Sequence, residues 1–163
     1  MRPLCRRRAI ELMFRRATPA DVPTIRDLTR AAYAKWVPLI GREPKPMLAD
    51  YGEAVTRHII DLHEVDGEVA GLVEVIPQVP YLLIENIAVL PSQQGKGLGD
   101  LLLIHAENLA RSLHMDEVRL YTNAAFTSNI AFYARRGFRE FLREPFPTSG
   151  VTVHMKKAIA PTR

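Results

Sequence analysis

The densest chemical signal in the chain is Gln94-Gly95-Lys96-Gly97-Leu98-Gly99. Three glycines in five residues lie between an apolar run ending in Val89-Leu90-Pro91 and a segment with helical periodicity. Glycine lets the backbone approach a ligand closely and turn its N–H groups toward an anion. The start of the following helix adds positive potential. This makes a cradle for a pyrophosphate, although a tight loop with no ligand has the same local pattern. Other phosphate loops fit poorly. A P-loop needs Ser or Thr after its lysine, and Lys96 is followed by Gly97. A dinucleotide loop needs Gly-x-Gly-x-x-Gly, and the spacing here is Gly-x-Gly-x-Gly.

The elements around the loop can be read from hydrophobic period and from Pro and Gly punctuation. Residues 81–90 read as an apolar strand interrupted by Glu85 and Asn86, and residues 97–113 as a helix. Upstream, residues 11–16 read as a strand, and Thr18-Pro19 opens a helix with apolar positions from Val22 to Trp36. Residues 37–46, with Pro38, Gly41, Pro44 and Pro46, read as a loop, and a second helix covers about 47–59. Asp66-Gly67 is a hairpin turn between strands at 61–65 and 69–76, ended by Pro77 and Pro80. Downstream come a strand around 118–121, a helix over 127–136 closed by Gly137, and strands at 138–143 and 151–156. The order is β-α-α-β-β-β-α-β-α-β-β.

Gln-x-x-Gly-x-Gly after a strand ending in Val-Leu-Pro resembles the acetyl-CoA loop of the GNAT superfamily of N-acetyltransferases. Asn129-Ile130-Ala131-Phe132-Tyr133, followed by Gly137-Phe138, resembles the second motif of that family. The resemblance covers roughly residues 13–158. It implies one α+β domain (a three-layer α/β arrangement) over 13–158, with a mixed, largely antiparallel sheet of about six to seven strands and four flanking helices. It also implies acetyl-CoA as cosubstrate and no metal. Ile87, Ala88 and Val89, on a strand splayed from its neighbour, would run beside the pantetheine arm. Gln94, Gly95, Lys96, Gly97, Leu98, Gly99 and the amide of Asp100 would hold the pyrophosphate. Asn129 would contact the cosubstrate, and Tyr133 would sit near the thioester sulfur.

The chemistry can be reasoned independently. An amine attacks a thioester only when neutral, and a lysine-like amine with a pKa of about 10.4 is almost wholly protonated at pH 7. A base or a water chain must take its proton, and an acid near the leaving thiolate helps. Tyr133 is the candidate acid. Glu85 is the candidate base, because regular alternation puts it on one strand face with Ile87 and Val89, and a carboxylate inside an apolar strand needs a task or a partner. Each also has a structural reading, as a packing tyrosine and as an ion-pair partner or ammonium anchor. In the family resembled, the acceptor site is lined by the first helices and their connection. Tyr33 and Trp36 would form an aromatic wall there, and Arg42 would meet an acceptor carboxylate. His105 falls on the apolar face of its helix and is expected in the core. His58, His63, His114 and His154 show no catalytic spacing.

The bulk properties set outer bounds. With 163 residues, 47% of them hydrophobic and 25% charged, the chain is sized for one domain with a real core. Its net charge of +4 is concentrated at Arg2, Arg6, Arg7 and Arg8. Residues 1–12 are expected to be a disordered extension, read as a solvated tail rather than a nucleic-acid arm. Cys5 is the one cysteine, so an internal disulfide is excluded, and a cysteine acyl-enzyme is not expected. With no membrane-length apolar run, the expected setting is the cytoplasm. The functional expectation is an acetyltransferase moving an acetyl group from acetyl-CoA to a primary amine by direct attack in a ternary complex. A small-molecule acceptor is favoured over a protein Lys or N-terminus, with no nucleic-acid or membrane partner, and a homodimer stays open. The competing reading is a non-catalytic CoA-binding regulatory module on the same fold.

Overall fold

The architecture comes from a computed structural model that describes residues 13–147 and 150–160. The expected N-terminal extension, with Cys5 and the basic run, lies outside the described residues. Strand β1 (Phe14–Arg16) pairs antiparallel with β2 (Ile59–Val65), Phe14 opposite His63. After it, the Asp21 carboxylate accepts a 2.8 Å hydrogen bond from the Thr18 N–H. One 3₁₀ turn (Pro19–Asp21) precedes helix α1 (Val22–Tyr33), which buries Ile25, Leu28 and Ala32.

Between α1 and β2 the chain is more helical, and more broken, than its pattern predicts. A 3₁₀ turn (Ala34–Trp36) runs into a single-turn helix α2 (Val37–Ile40) where a loop was expected. Pro38 is tolerated because it occupies the first turn, and Gly41, at φ 71°, closes the segment in the left-handed region. The helix expected over 47–59 is two pieces, α3 (Lys45–Leu48) and α4 (Tyr51–Arg57). They are split at Ala49, which is extended, and Asp50 caps α4 by accepting from the Glu53 N–H at 3.1 Å.

Strand β3 (Glu68–Gln78) follows the Asp66-Gly67 turn, whose two residues both have positive φ, at 52° and 79°. It runs past Pro77, where the sequence suggested an end. Its pairing with β2 stops at Ile59 opposite Val75, so Pro77 has only β4 (Tyr81–Val89) beside it, and the absent N–H can face the open edge. Helix α5 (Leu98–Ser112) crosses over from β4 to β5 (Glu117–Asn123), and α6 (Thr127–Arg135) leads to β6 (Arg139–Pro145) and β7 (Val151–Ala158). The seven strands lie in the order β1-β2-β3-β4-β5-β7-β6, and only β4 and β5 are parallel.

The architecture is the expected α+β one: a largely antiparallel seven-stranded sheet between helical layers. The four longest helices are α1, α4, α5 and α6. One core joins α5 to β3, β4, β5 and β7 through Val73, Leu82, Ile84, Leu102, Ala106, Val118 and Val153. The other joins α1 and α4 to Ile60, Leu62, Leu72 and Ala88. His105 is a core histidine as expected, with Nε2 2.7 Å from Asp61 Oδ2 and its ring stacked on Phe14 at 3.9 Å. Among the described residues, no helix is long and apolar enough to cross a membrane.

Candidate active site

The site begins where the sheet opens. Strand β4 pairs with β5 only from Tyr81 opposite Glu117 to Ile84 opposite Leu120. Beyond that point β5 pairs only with β7, and residues 86–89 of β4 pair only with β3. One edge of β4 therefore carries backbone polar groups with no strand beside them, which is the splayed geometry the resemblance implied.

At the fork the alternation of β4 breaks. Glu74 pairs with Asn86 and the next residue, Val75, pairs with Ile84, so Glu85 is the extra residue of a β-bulge. This corrects the expectation that Glu85, Ile87 and Val89 share one face. Ile84 and Ile87 both join the α5 core, whereas Glu85 lines a cavity with its neighbour Asn86 on the α4 side. A bulge supplies one residue without a partner, and every later side chain changes parity relative to the earlier ones.

On the α5 side of the fork lies a cleft of about 430 Å³. Its lining brings together Ile87, Val89, Gln94, Gly95, Gly97, Leu98, Gly99, Asp100, Asn129 and Tyr133. Gly95 and Gly97 have φ of 77° and 81°, a region side chains disfavour, and Gly97 is the N-cap of α5. Gly99 serves differently: a Cβ there would meet Phe132 Cζ at 3.1 Å. The Gln94 side chain donates to the Val89 carbonyl at 3.2 Å and accepts from Lys35 Nζ at 3.3 Å. The Asp100 carboxylate is paired with Arg136, whose guanidinium lies 3.6 Å from the Phe132 centroid. That pairing holds the Asp100 carboxyl below its usual range and neutralises the one acid in the cleft lining.

Two expected contacts fall outside this cleft. The Ala88 side chain is buried at 2% exposure against the α1 core, because its parity faces it away, and Lys96 is solvent-exposed and not part of the lining. Trp36, expected in the acceptor wall, lines this cleft instead and stacks on Phe126 at 4.4 Å.

Tyr133 lines this cleft and also a second, smaller cavity of about 80 Å³ on the β5 side. Its phenol is pushed up to about 12 by burial and stays protonated at neutral pH. The second cavity also holds Glu85, Tyr121, Lys45, Arg42 and Tyr33. Tyr121 donates to Glu85 Oε1 at 2.7 Å, and Lys45 Nζ lies 3.3 Å from the same oxygen and 3.1 Å from the Tyr121 hydroxyl. The Tyr33 hydroxyl is 2.9 Å from Asn86 Oδ1 and 3.3 Å from the Ile87 carbonyl. A third cavity, of about 260 Å³, opens on the other side of Glu85 under α4. There the buried Glu74 carboxylate sits 2.6 Å from His58 Nδ1; burial pushes its pKa up, and His58 offsets only part of that rise.

Tyr121, Lys45 and Glu74 were not singled out from the sequence, and His58 was read as having no catalytic spacing. Glu74 carried a usable signal, since it interrupts the apolar run of β3 as Glu85 interrupts β4. The others had none, because their partners are distant in the chain. Among the described residues no group of three or more His, Cys, Asp or Glu is placed to hold a metal ion.

Comparisons with known proteins identify the family and the fold. A family model described as "Acetyltransferase (GNAT) family" matches residues 23–138. A search of curated proteins gives no significant match. Solved structures share the fold at low identity. The ribosomal-protein-S18-alanine N-acetyltransferase from Escherichia coli is 19% identical with a TM-score of 0.74, covering 92% of this chain and 95% of that one. An IAA acetyltransferase from Bacillus cereus ATCC 14579 is 21% identical with a TM-score of 0.71, covering 89% and 97%. A GNAT family acetyltransferase from Elizabethkingia anophelis, solved with acetyl-CoA bound, is 19% identical with a TM-score of 0.71, covering 89% and 96%.

Proposed function

The chain belongs to the acetyltransferase (GNAT) family, and from that premise we propose that it transfers the acetyl group of acetyl-CoA to a primary amine, by direct attack in a ternary complex. The observation that carries the proposal is the position of Tyr133. It lines both the glycine-loop cleft and the cavity that holds Glu85, so a donor in one and an acceptor in the other meet at its phenol.

The residues of the large cleft fit acetyl-CoA. The left-handed Gly95 and Gly97 and the start of α5 present backbone N–H groups to a pyrophosphate. Lys35, whose Nζ lies 3.3 Å from Gln94 Oε1, adds positive charge beside the loop. The open edge of β4 offers hydrogen-bonding groups to an extended amide-bearing arm. When bound, acetyl-CoA supplies the activated acetyl thioester. Glu85, facing the other cavity, takes the proton of the acceptor's ammonium, directly or through water. A backbone N–H of the open strand edge stabilises the charge that develops on the acetyl oxygen. Tyr133, neutral across physiological pH, donates to the departing thiolate.

Titration calorimetry with acetyl-CoA, followed by thiol-release assays over a panel of amines, tests this reading. Micromolar binding with turnover on at least one amine is expected. Absence of binding at millimolar acetyl-CoA would overturn the assignment. Binding without turnover on any small amine, peptide N-terminus or lysine peptide would instead establish a regulatory CoA-binding module.

A further inference from the structure

The cavity beyond Tyr133 contains two cations in different states. The Lys45 ammonium is matched, with Glu85 at 3.3 Å and the Tyr121 hydroxyl at 3.1 Å. Arg42 is not. Its Nε is buried without a hydrogen-bond partner, and no carboxylate among the described residues pairs with its guanidinium. The group lies over the Phe146 ring, 4.4 Å from the centroid. That contact with the ring face satisfies none of its N–H donors. A buried unsatisfied donor is costly, and a guanidinium is the side chain whose planar fork best matches a carboxylate.

From this we infer that Arg42 is the carboxylate subsite for the acceptor, and that the acceptor is a small amine bearing a carboxylate, of the α-amino acid class. This rests on the acetyl-transfer reading above. Glu85 and Tyr121 form the complementary end of the site. The Lys45 ammonium already sits there, so this pair accepts a primary ammonium. Lys45 is 61% exposed on its side chain, so an incoming acceptor amine can displace it toward solvent. The cavity, at about 80 Å³, suits a compact acceptor. A zwitterion of that size meets Arg42 with its carboxylate and Glu85 with its ammonium. An amine with no anionic group leaves Arg42 as unsatisfied as before.

The test compares each common α-amino acid with its α-carboxamide, using the wild-type chain, Arg42→Gln and Arg42→Lys. Binding is read by calorimetry on protein saturated with CoA, so the result does not depend on turnover. Thiol release gives kcat and KM in parallel. For at least one amino acid the free carboxylate is expected to bind about 10- to 100-fold tighter than the amide, the range for a hydrogen-bonded charge pair. Arg42→Gln should erase that preference by raising KM for the carboxylate form. Affinity for CoA should stay unchanged, and Arg42→Lys should retain part of the preference. Wild-type protein that binds no amino acid, or binds amides equally well, overturns the proposal, as does a preference that survives Arg42→Gln. Failure to bind CoA would instead strike the acetyl-transfer reading.

Discussion

The Tyr121 hydroxyl donates a 2.7 Å hydrogen bond to Glu85 Oε1 from the strand that has just parted from β4. The bulge turns Glu85 toward this cavity, and Tyr121 fixes one of its carboxylate oxygens there. Burial first, and the Glu85 carboxylate second, hold the Tyr121 phenol well above its ordinary value, so the donor stays protonated throughout the working pH range. Tyr121→Phe is therefore expected to lower kcat/KM about tenfold, the value of one hydrogen bond to a charged group, at every pH from 6 to 9. Acetyl-CoA affinity measured by calorimetry should not change. Parent-like kinetics would remove Tyr121 from the site.

Glu85→Gln removes the proposed base and keeps the shape. Turnover should fall most at pH 6, where neutral amine is scarcest, and recover in part toward pH 9 as free amine becomes abundant. A pH–rate profile of kcat and kcat/KM reads this directly. A rise in KM with kcat retained would instead identify Glu85 as an anchor for a cationic acceptor.

Tyr133→Phe preserves the edge-to-face contacts with Phe132 and Phe138 but removes the proposed proton donor. Turnover is expected to drop about 10²-fold with acetyl-CoA affinity nearly unchanged, the usual scale of general acid assistance. Because burial pushes this phenol up to about 12, no loss of activity from its ionisation should appear below pH 9. Unchanged single-turnover rates would return Tyr133 to a packing role.

Gly97→Asp places a side chain where φ is 81°, and a negative charge at the N-cap of α5. The first effect is steric strain and the second repels phosphate. Calorimetry should detect no acetyl-CoA binding to this variant. Since no heavy atom lies within 4 Å of a Cβ built there, its melting temperature should fall only modestly. A variant that binds like the parent would put the phosphate cradle elsewhere.

Asp61 predicts a pH dependence of stability away from the site. Burial raises its carboxyl pKa, but hydrogen bonds from His105 and Arg16 outweigh burial, and the net value is lowered from 3.8. A lowered folded value adds stability that is present above pH 3.8 and is lost as pH falls through the folded value. The melting temperature should accordingly be flat for this group down to about pH 4 and decline below it. Asp61→Asn should cost about 3 kcal/mol at pH 7, as for breaking a buried pair, and the gap to the parent should narrow in acid. A constant gap from pH 7 to 2.5 would show that Asp61 stabilises without its charge.

What could be read from the sequence was what depends on near neighbours. The glycines at 95, 97 and 99 sit within one turn of a helix start, so their conformational demand and the helix that follows are local facts. The Asp66-Gly67 turn, the strand–helix order and the tyrosine of the second motif are local in the same sense. Local too is the presence of a carboxylate in β4, though not its direction. The helix expected over 47–59 failed because a hydrophobic pattern continues across Ala49 and Asp50 while the backbone does not.

The tertiary structure alone decided where Glu85 points. Alternation assumes an unbroken pleat, and whether a strand carries an extra residue depends on the partner strand's register, which a single strand does not encode. The 36-residue separation between Glu85 and Tyr121 in the chain closes only because the α5 crossover sets β5 parallel to β4 and then lets the two diverge. The same holds for Arg42 and Lys45, whose loop reaches the cavity through the packing of α1 to α4. The glycine-rich loop and the order of elements were legible in the sequence, because those follow from residues within hydrogen-bonding reach along the chain. The composition of the second cavity was set by contacts between segments distant in the chain.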